Sequence, residues 1–160
     1  MTPLGPPLVS STAIVERGVY LGDGVRVWAM ATIHEGARLE DGVSVGELTY
    51  VGKNTHVGSG TRIGAQVHIT DHMTIGRNCF IAPMAIFCND RYPEAGSTDW
   101  VREDPVVEDD VSVGVNATIL PGVRLGRGCV IGAGSVVTKD VPPYETWVGN
   151  PAHPTRKVDY

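Results

Sequence analysis

Large rings are scarce in this chain. Its 160 residues include two Phe, three Trp and five Tyr, against 20 Gly. A core of that composition cannot be filled by stacked aromatics, and the glycines imply a backbone that turns often. Cysteine is also sparse. Cys79, Cys88 and Cys129 are an odd number without a disulfide-framework spacing, which points to reduced thiols in a cytoplasmic protein. Positive charge is in deficit: 13 Lys+Arg stand against 18 Asp+Glu, a formal net charge of −5. Proteins that neutralise nucleic-acid phosphates usually carry the opposite balance, so no nucleic-acid partner is expected. No apolar run approaches the ~20 residues of a membrane span. Met1 to Ser11 has neither the basic start nor the apolar stretch of a signal peptide. With 42% apolar and 19% charged residues, the chain suits a single folded domain over residues 1–160.

What the chain does have is a period of six. Read in sixes from Ala13, the third place is always apolar: Val15, Leu21, Val27, Ile33, Leu39, Val45, Val51, Val57, Ile63, Ile69, Ile75, Ile81 and Phe87. The register returns with Val107, Val113, Ile119, Leu125, Ile131 and Val137. The following place is most often Gly, and the place two before is small or β-branched, as at Thr49, Thr55, Thr61, Ala85 and Ala117. Neither a helix (period 3.6) nor a half-buried strand (period 2) gives six. A solenoid does, with each hexad forming one short flat side.

This pattern resembles the hexapeptide-repeat left-handed β-helix. The resemblance implies three hexads per triangular coil of 18 residues, hence about six coils and a prism roughly 30 Å tall. It also implies a homotrimer with sites between subunits, since a narrow prism exposes much surface. Hexads are expected over 13–90 and 105–140. The 20-residue gap between the apolar places 87 and 107 fits an inserted loop over 91–104. The Pro-rich tail 141–160 is expected to leave the coil and cap it or cross to a neighbour.

With an 18-residue coil, Asp71 lies beneath Asn89 and His72 beneath Asp90, above Lys53 and Asn54. The inserted loop leaves the prism at this polar corner, carrying Arg91, Tyr92, Trp100 and Arg102. Long insertions in regular solenoids tend to be functional. His72, with a carboxylate neighbour in Asp90 to orient it and raise its pKa, is the first candidate base, and Asp90 the second. His56 and His68, each one place before an aliphatic residue, are read as outward-facing surface groups. Cys79 and Cys129 fall on the small core place, and Cys88, beside Asn89, is a weaker candidate nucleophile.

The run FCNDRYP from Phe87 to Pro93 resembles acyl-CoA-dependent N-acetyltransferases acting on nucleotide-linked 3-amino sugars. The stretch from Val107 to Ala152 is similar to the acyl-CoA end of such enzymes, and RVW at Arg26–Trp28 and GVSVG at Gly42–Gly46 match in position. The resemblance implies acetyl-CoA as co-substrate and a dTDP-3-amino-3,6-dideoxyhexose as acceptor. It places Asn89 at the sugar amine, with Asp71, Arg91, Tyr92, Trp28 and Glu47 toward the acceptor. Asn116, Gly132, Ala133 and Lys139 would lie along CoA, with Arg156 or Lys157 at a CoA phosphate.

Three departures lie in the acceptor half. Ala29 and Thr32 replace two His, Glu47 and Leu48 replace a Gln-Asn pair, and Glu94 stands where relatives have Arg. Other readings of such a prism are an O-acetyltransferase on a small hydroxyl acceptor, a γ-carbonic-anhydrase-like metal enzyme and a non-catalytic scaffold. No metal is expected. His68 and His72 are four strand residues apart, about 13 Å at ~3.3 Å each, too far to share a zinc ligated at ~2.1 Å.

Overall fold

A computed structural model describes residues 4–155 of the chain. Within them, every regular element is a strand, most of them two residues long. These strands stack into three parallel sheets, the flat faces of a prism. The first face runs from Leu8–Val9 through Arg26–Val27, Ser44–Val45, Arg62–Ile63, Phe80–Ile81, Ser112–Val113 and Val130–Ile131 to Thr146–Gly149. The second begins at Ile14–Val15 and ends at Val136–Val137, and the third runs from Tyr20–Leu21 to Arg124–Leu125.

The register is 18 residues per coil: Tyr50 pairs with His68 and Arg62 with Phe80. Across the insertion it becomes 32, with Thr74 opposite Val106. The difference of 32 − 18 = 14 is the length of the inserted loop.

Each place in the hexad has a physical cause. The apolar place points inward, and Ile33, Leu39, Ile69, Ile75, Phe87 and Ile119 are completely buried. Each such side chain stabilises by roughly 1.5–3 kcal/mol. The Gly after it is forced by the next coil: a Cβ on Gly46 would lie 2.5 Å from the Ala65 nitrogen and the Gly64 carbonyl carbon. The third place after the apolar residue has a left-handed backbone, as at Gly42 (φ 72) and Asn54 (φ 52). The small place is buried, and where it is Thr the hydroxyl ties coils together. Thr61 Oγ1 donates to the Gly76 carbonyl (2.8 Å) and accepts from the Cys79 amide (3.0 Å). Cys79 and Cys129 fill this same place inside the core. Burial pushes the Cys129 thiol up to about 12, with Cys79 and Glu108 adding to the shift.

The ends differ from expectation. The coil begins one hexad earlier than Ala13, at Leu8–Val9, which pairs with Arg26–Val27. The tail does not leave the prism at Val141. Val141 bridges Leu125, and Trp147 stacks on Ile131. The first face thus has eight parallel rungs, more than the six coils expected. Only then does the chain reverse, in an antiparallel pairing of Thr146–Gly149 with Ala152–Pro154. Trp147 is buried over the last coil, and Lys139 Nζ sits 5.4 Å from its ring centroid. A large ring with a cation above it closes the open end that hexads alone would leave wet.

Candidate active site

The outward places of the second face form a column: Thr32, Tyr50, His68, Ile86 and Thr118. Tyr50 and His68 stack almost in parallel, with centroids 4.7 Å apart and planes at 16°. His34 lies against the other side of Tyr50 at 4.5 Å. Beside this aromatic column runs the corner joining the second and third faces, with Thr70, Asp71 and His72 on one coil and Cys88, Asn89 and Asp90 on the next.

A groove of about 250 Å³ lies between column and corner, lined by Tyr50, His68, Thr70, Asp71, Asn89 and Trp100. Trp100 comes from the inserted loop. A second hollow of about 330 Å³, lined by Asp90, Arg91, Tyr92, Asp99, Trp100, Val101 and Glu103, adjoins it through that Trp.

The loop is held at its base. The backbones of Asp90 and Arg102 form an antiparallel bridge across it, and the Glu103 amide donates to the Asn89 carbonyl (2.9 Å). Arg91 grips the Glu103 carboxylate, Nε on Oε1 at 3.0 Å and Nη2 on Oε2 at 2.7 Å. Its Nη2 also donates to the Pro121 carbonyl on the coil above (2.6 Å).

Three groups in the groove carry chemistry. The ring of His68 is desolvated by its packing, which holds its pKa below the ordinary 6.5, with the Asp71 charge pulling the other way. His68 is therefore a neutral imidazole at pH 7. Asp71 accepts a hydrogen bond from the Lys53 amide (2.8 Å) through Oδ1, which fixes its carboxylate against the corner. Thr70 Oγ1 is buried without any partner among the described residues. A buried hydroxyl is nearly always hydrogen-bonded, so this one marks a place where a polar ligand atom or water belongs. Tyr50 keeps its proton, since burial, then the charges of Asp71 and Glu16, raise its pKa. Cys88 is likewise a thiol, pushed up by burial, and not a ready nucleophile.

The sequence-predicted site residues separate into three groups. Asp71, Asn89, Asp90, Arg91 and Tyr92 gather around the groove and loop. Among the described residues no hydrogen bond or ion pair joins His72 to Asp90. His72 occupies the left-handed corner place (φ 61) and is exposed, while Asp90 Oδ1 accepts from the Tyr92 amide (3.0 Å) within its own loop. Arg91 is committed to Glu103 and Pro121, so it serves as a clamp. Trp28 and Glu47 lie at the opposite corner of the second face, the one it shares with the first. Asn116, Gly132 and Ala133 share that corner on higher coils, whereas Lys139 lies over Trp147. Arg156 and Lys157 fall outside the described residues.

Sequence reasoning passed over Tyr50 and His68. Their spacing of 18 at outward places was the available signal: outward on this face is where the groove lies. Among the described residues no three His, Cys, Asp or Glu converge in a way that could hold a metal ion.

Against known families, residues 54–89 and 104–139 match the bacterial transferase hexapeptide model (six repeats), in two blocks that flank the inserted loop. Both matched blocks carry the six-residue period of the chain. A provisionally named acetyltransferase of Schizosaccharomyces pombe is 41% identical over 91 residues, 54% of this chain and 44% of that protein. The 2,3,4,5-tetrahydropyridine-2,6-dicarboxylate N-acetyltransferase of Brevibacillus brevis is 52% identical over 54 residues, 34% of this chain and 23% of that enzyme. The chain thus spans less than half the length of these relatives.

Among solved structures, PerB of Caulobacter crescentus, determined with CoA and GDP-perosamine, aligns over 96% of this chain and 58% of its own. Its TM-score is 0.63 at 21% identity. The polysialic acid O-acetyltransferase OatWY aligns over 94% and 84%, with a TM-score of 0.68 at 20% identity. At these identities the likeness is one of fold.

Proposed function

We propose that this hexapeptide-repeat protein transfers an acetyl group from acetyl-CoA to the amine of a nucleotide-linked amino sugar, with a dTDP-3-amino-3,6-dideoxyhexose as the first acceptor to test. The observation that carries the proposal is the groove itself. A neutral imidazole, a fixed carboxylate and an orphan hydroxyl converge beside the Asn89 side chain under a loop Trp, on the same fold as enzymes named for acetyl transfer.

In this reading the acceptor amine attacks the thioester carbonyl carbon. The C–N bond forms, the C–S bond breaks, and the thiolate leaves. The nitrogen carries one proton too many after attack, and His68 takes it, replacing His72 in that role. Asn89 and Thr70 hold the sugar, and Asp71 keeps the amine oriented. Positioning supplies a large part of the barrier reduction. Asn116, Gly132 and Ala133 lie along CoA at the far corner. A homotrimer would bring that corner of one subunit beside the groove of the next.

A hydroxyl acceptor is the second reading, favoured by the presence of a neutral His in the groove. The test is thiol release from acetyl-CoA with a panel of nucleotide-linked amino sugars and matched hydroxyl acceptors. An amine acceptor with kcat/KM at least about tenfold above its hydroxyl counterpart supports the proposal. The reverse ranking moves the enzyme to O-acetylation. No thiol release with any acceptor, together with no acetyl-CoA binding, refutes acyl transfer.

A further inference from the structure

The first face carries a feature that the proposed chemistry leaves unused. Its outward column reads Leu8, Arg26, Ser44, Arg62 and Phe80 on successive rungs. Six arginines elsewhere, Arg38, Arg77, Arg91, Arg102, Arg124 and Arg127, are each bridged to a carboxylate. Among the described residues, Arg17 lacks a carboxylate partner but lies at a turn; on the outward column, Arg26 and Arg62 have none.

They line a single cavity of about 610 Å³, with Ser44 between them and Leu4, Pro6 and Leu8 along one wall. In an acidic chain, two guanidiniums two rungs apart and both without a counter-charge are unlike the rest of the surface. Rungs are ~4.8 Å apart, so both can reach a group seated at the Ser44 rung. Arg62 is steered by the Phe80 ring, 5.2 Å from its guanidinium carbon. Ser44 Oγ accepts the indole N–H of Trp28 (3.3 Å), which leaves its own proton free to donate. A second, largely apolar hollow of about 560 Å³ adjoins, lined by Leu8, Val9, Arg26, Val27, Trp28 and Ala29.

We infer that the Arg26–Ser44–Arg62 column binds the diphosphate of a nucleoside diphosphate, with the Trp28 hollow taking its flat base. Guanidiniums match phosphate oxygens in pairs, and an indole face suits a base. The inference rests on the acetyl-transfer reading only for which ligand brings the diphosphate, since a nucleotide-linked sugar and CoA both carry one.

The experiment is calorimetric titration of the full chain with dTDP, CoA and inorganic pyrophosphate, repeated on Arg26→Gln/Arg62→Gln. Circular dichroism and a melting curve check that the variant folds. Two lost charge-assisted contacts should weaken the affected ligand at least about tenfold, and raising salt should weaken the wild type alike. Loss of dTDP affinity with CoA unchanged assigns the site to the acceptor nucleotide. Loss of CoA affinity with dTDP unchanged assigns it to CoA. Affinities within twofold of wild type for all three probes overturn the inference while leaving acetyl transfer standing. If the wild type binds dTDP and loses it in the variant, yet shows no acetyl-CoA binding or thiol release, the diphosphate site survives and the acetyl-transfer reading falls.

Discussion

Replacing Thr61 by Val tests how the coils are joined. Thr61 is completely buried, and Val has nearly its shape. The substitution removes the donor to the Gly76 carbonyl and the acceptor of the Cys79 amide, and among the described residues neither backbone group has another hydrogen-bond partner. An orphaned buried N–H costs about 1–3 kcal/mol, and an under-satisfied carbonyl somewhat less. The new methyl returns about 0.8 kcal/mol. The net expectation is a loss of about 2 kcal/mol. Thr61→Ser is the counterpart: it keeps both hydrogen bonds and drops one buried methyl, costing about 1 kcal/mol.

Urea denaturation at fixed protein concentration, followed by circular dichroism and tryptophan fluorescence, measures both. Concentration must be held because association would add to apparent stability. The order is the sharp part. If the small hexad place were only a packing position, Ser would be worse than Val. A Val variant at least as stable as wild type, or more stable than the Ser variant, would refute the hydrogen-bond account.

Three further outcomes are expected. Gly46→Ala should destabilise by at least about 2 kcal/mol, because backbone and not a movable side chain stands 2.5 Å from the added Cβ. Gly5→Ala, with open space around it, should stay within about 0.5 kcal/mol, and equal melting temperatures would sink the argument. His68 binds its proton less readily folded than unfolded. Its contribution to stability is therefore complete above ~6.5 and is lost as pH falls through the lower folded value. The acid limb of kcat/KM should accordingly lie below ~6.5 and change in His68→Asn but not in His72→Asn. A limb above 7, or one unmoved by His68→Asn, removes His68 from the reaction. Finally, Arg91→Ala should free the inserted loop, so that limited proteolysis within 92–101 speeds up while the prism stays intact. An unchanged cleavage rate would mean that the Arg91–Glu103 grip does not hold the loop.

The solenoid was legible because its constraint is local and repeated. Every sixth side chain must point inward, and the same small set of residues solves that problem at Val27, Ile63 and Phe87 alike. The break in register at 91–104 was legible for the same reason. The ends were not. Leu8–Val9 belongs to a hexad whose flanking residues are Pro-rich, and Trp147 takes the inward place with a residue no other hexad uses there. Cap residues obey the geometry of the open end rather than that of the repeat.

The candidate site divides along the same line. The 18-residue stacking put Asp71 and Asn89 together before any coordinates, and with them the polar corner and its loop. Only the tertiary structure decided how the side chains there are used. Arg91 turned to Glu103, Asp90 turned into its own loop, and His72 was left exposed at a left-handed corner. The imidazole that is desolvated, and so neutral, is His68. A pKa depends on what surrounds the ring on every side, and those neighbours come from three coils and a loop distant in sequence. Likewise, Arg26 and Arg62 stand out as one column without counter-charge only once six other arginines have been seen to find their acids. By itself the sequence determined the period, the turn chemistry and the inward residues. Side-chain partnership between coils required the fold, because each partner is chosen among groups that the chain brings together only after it has wound.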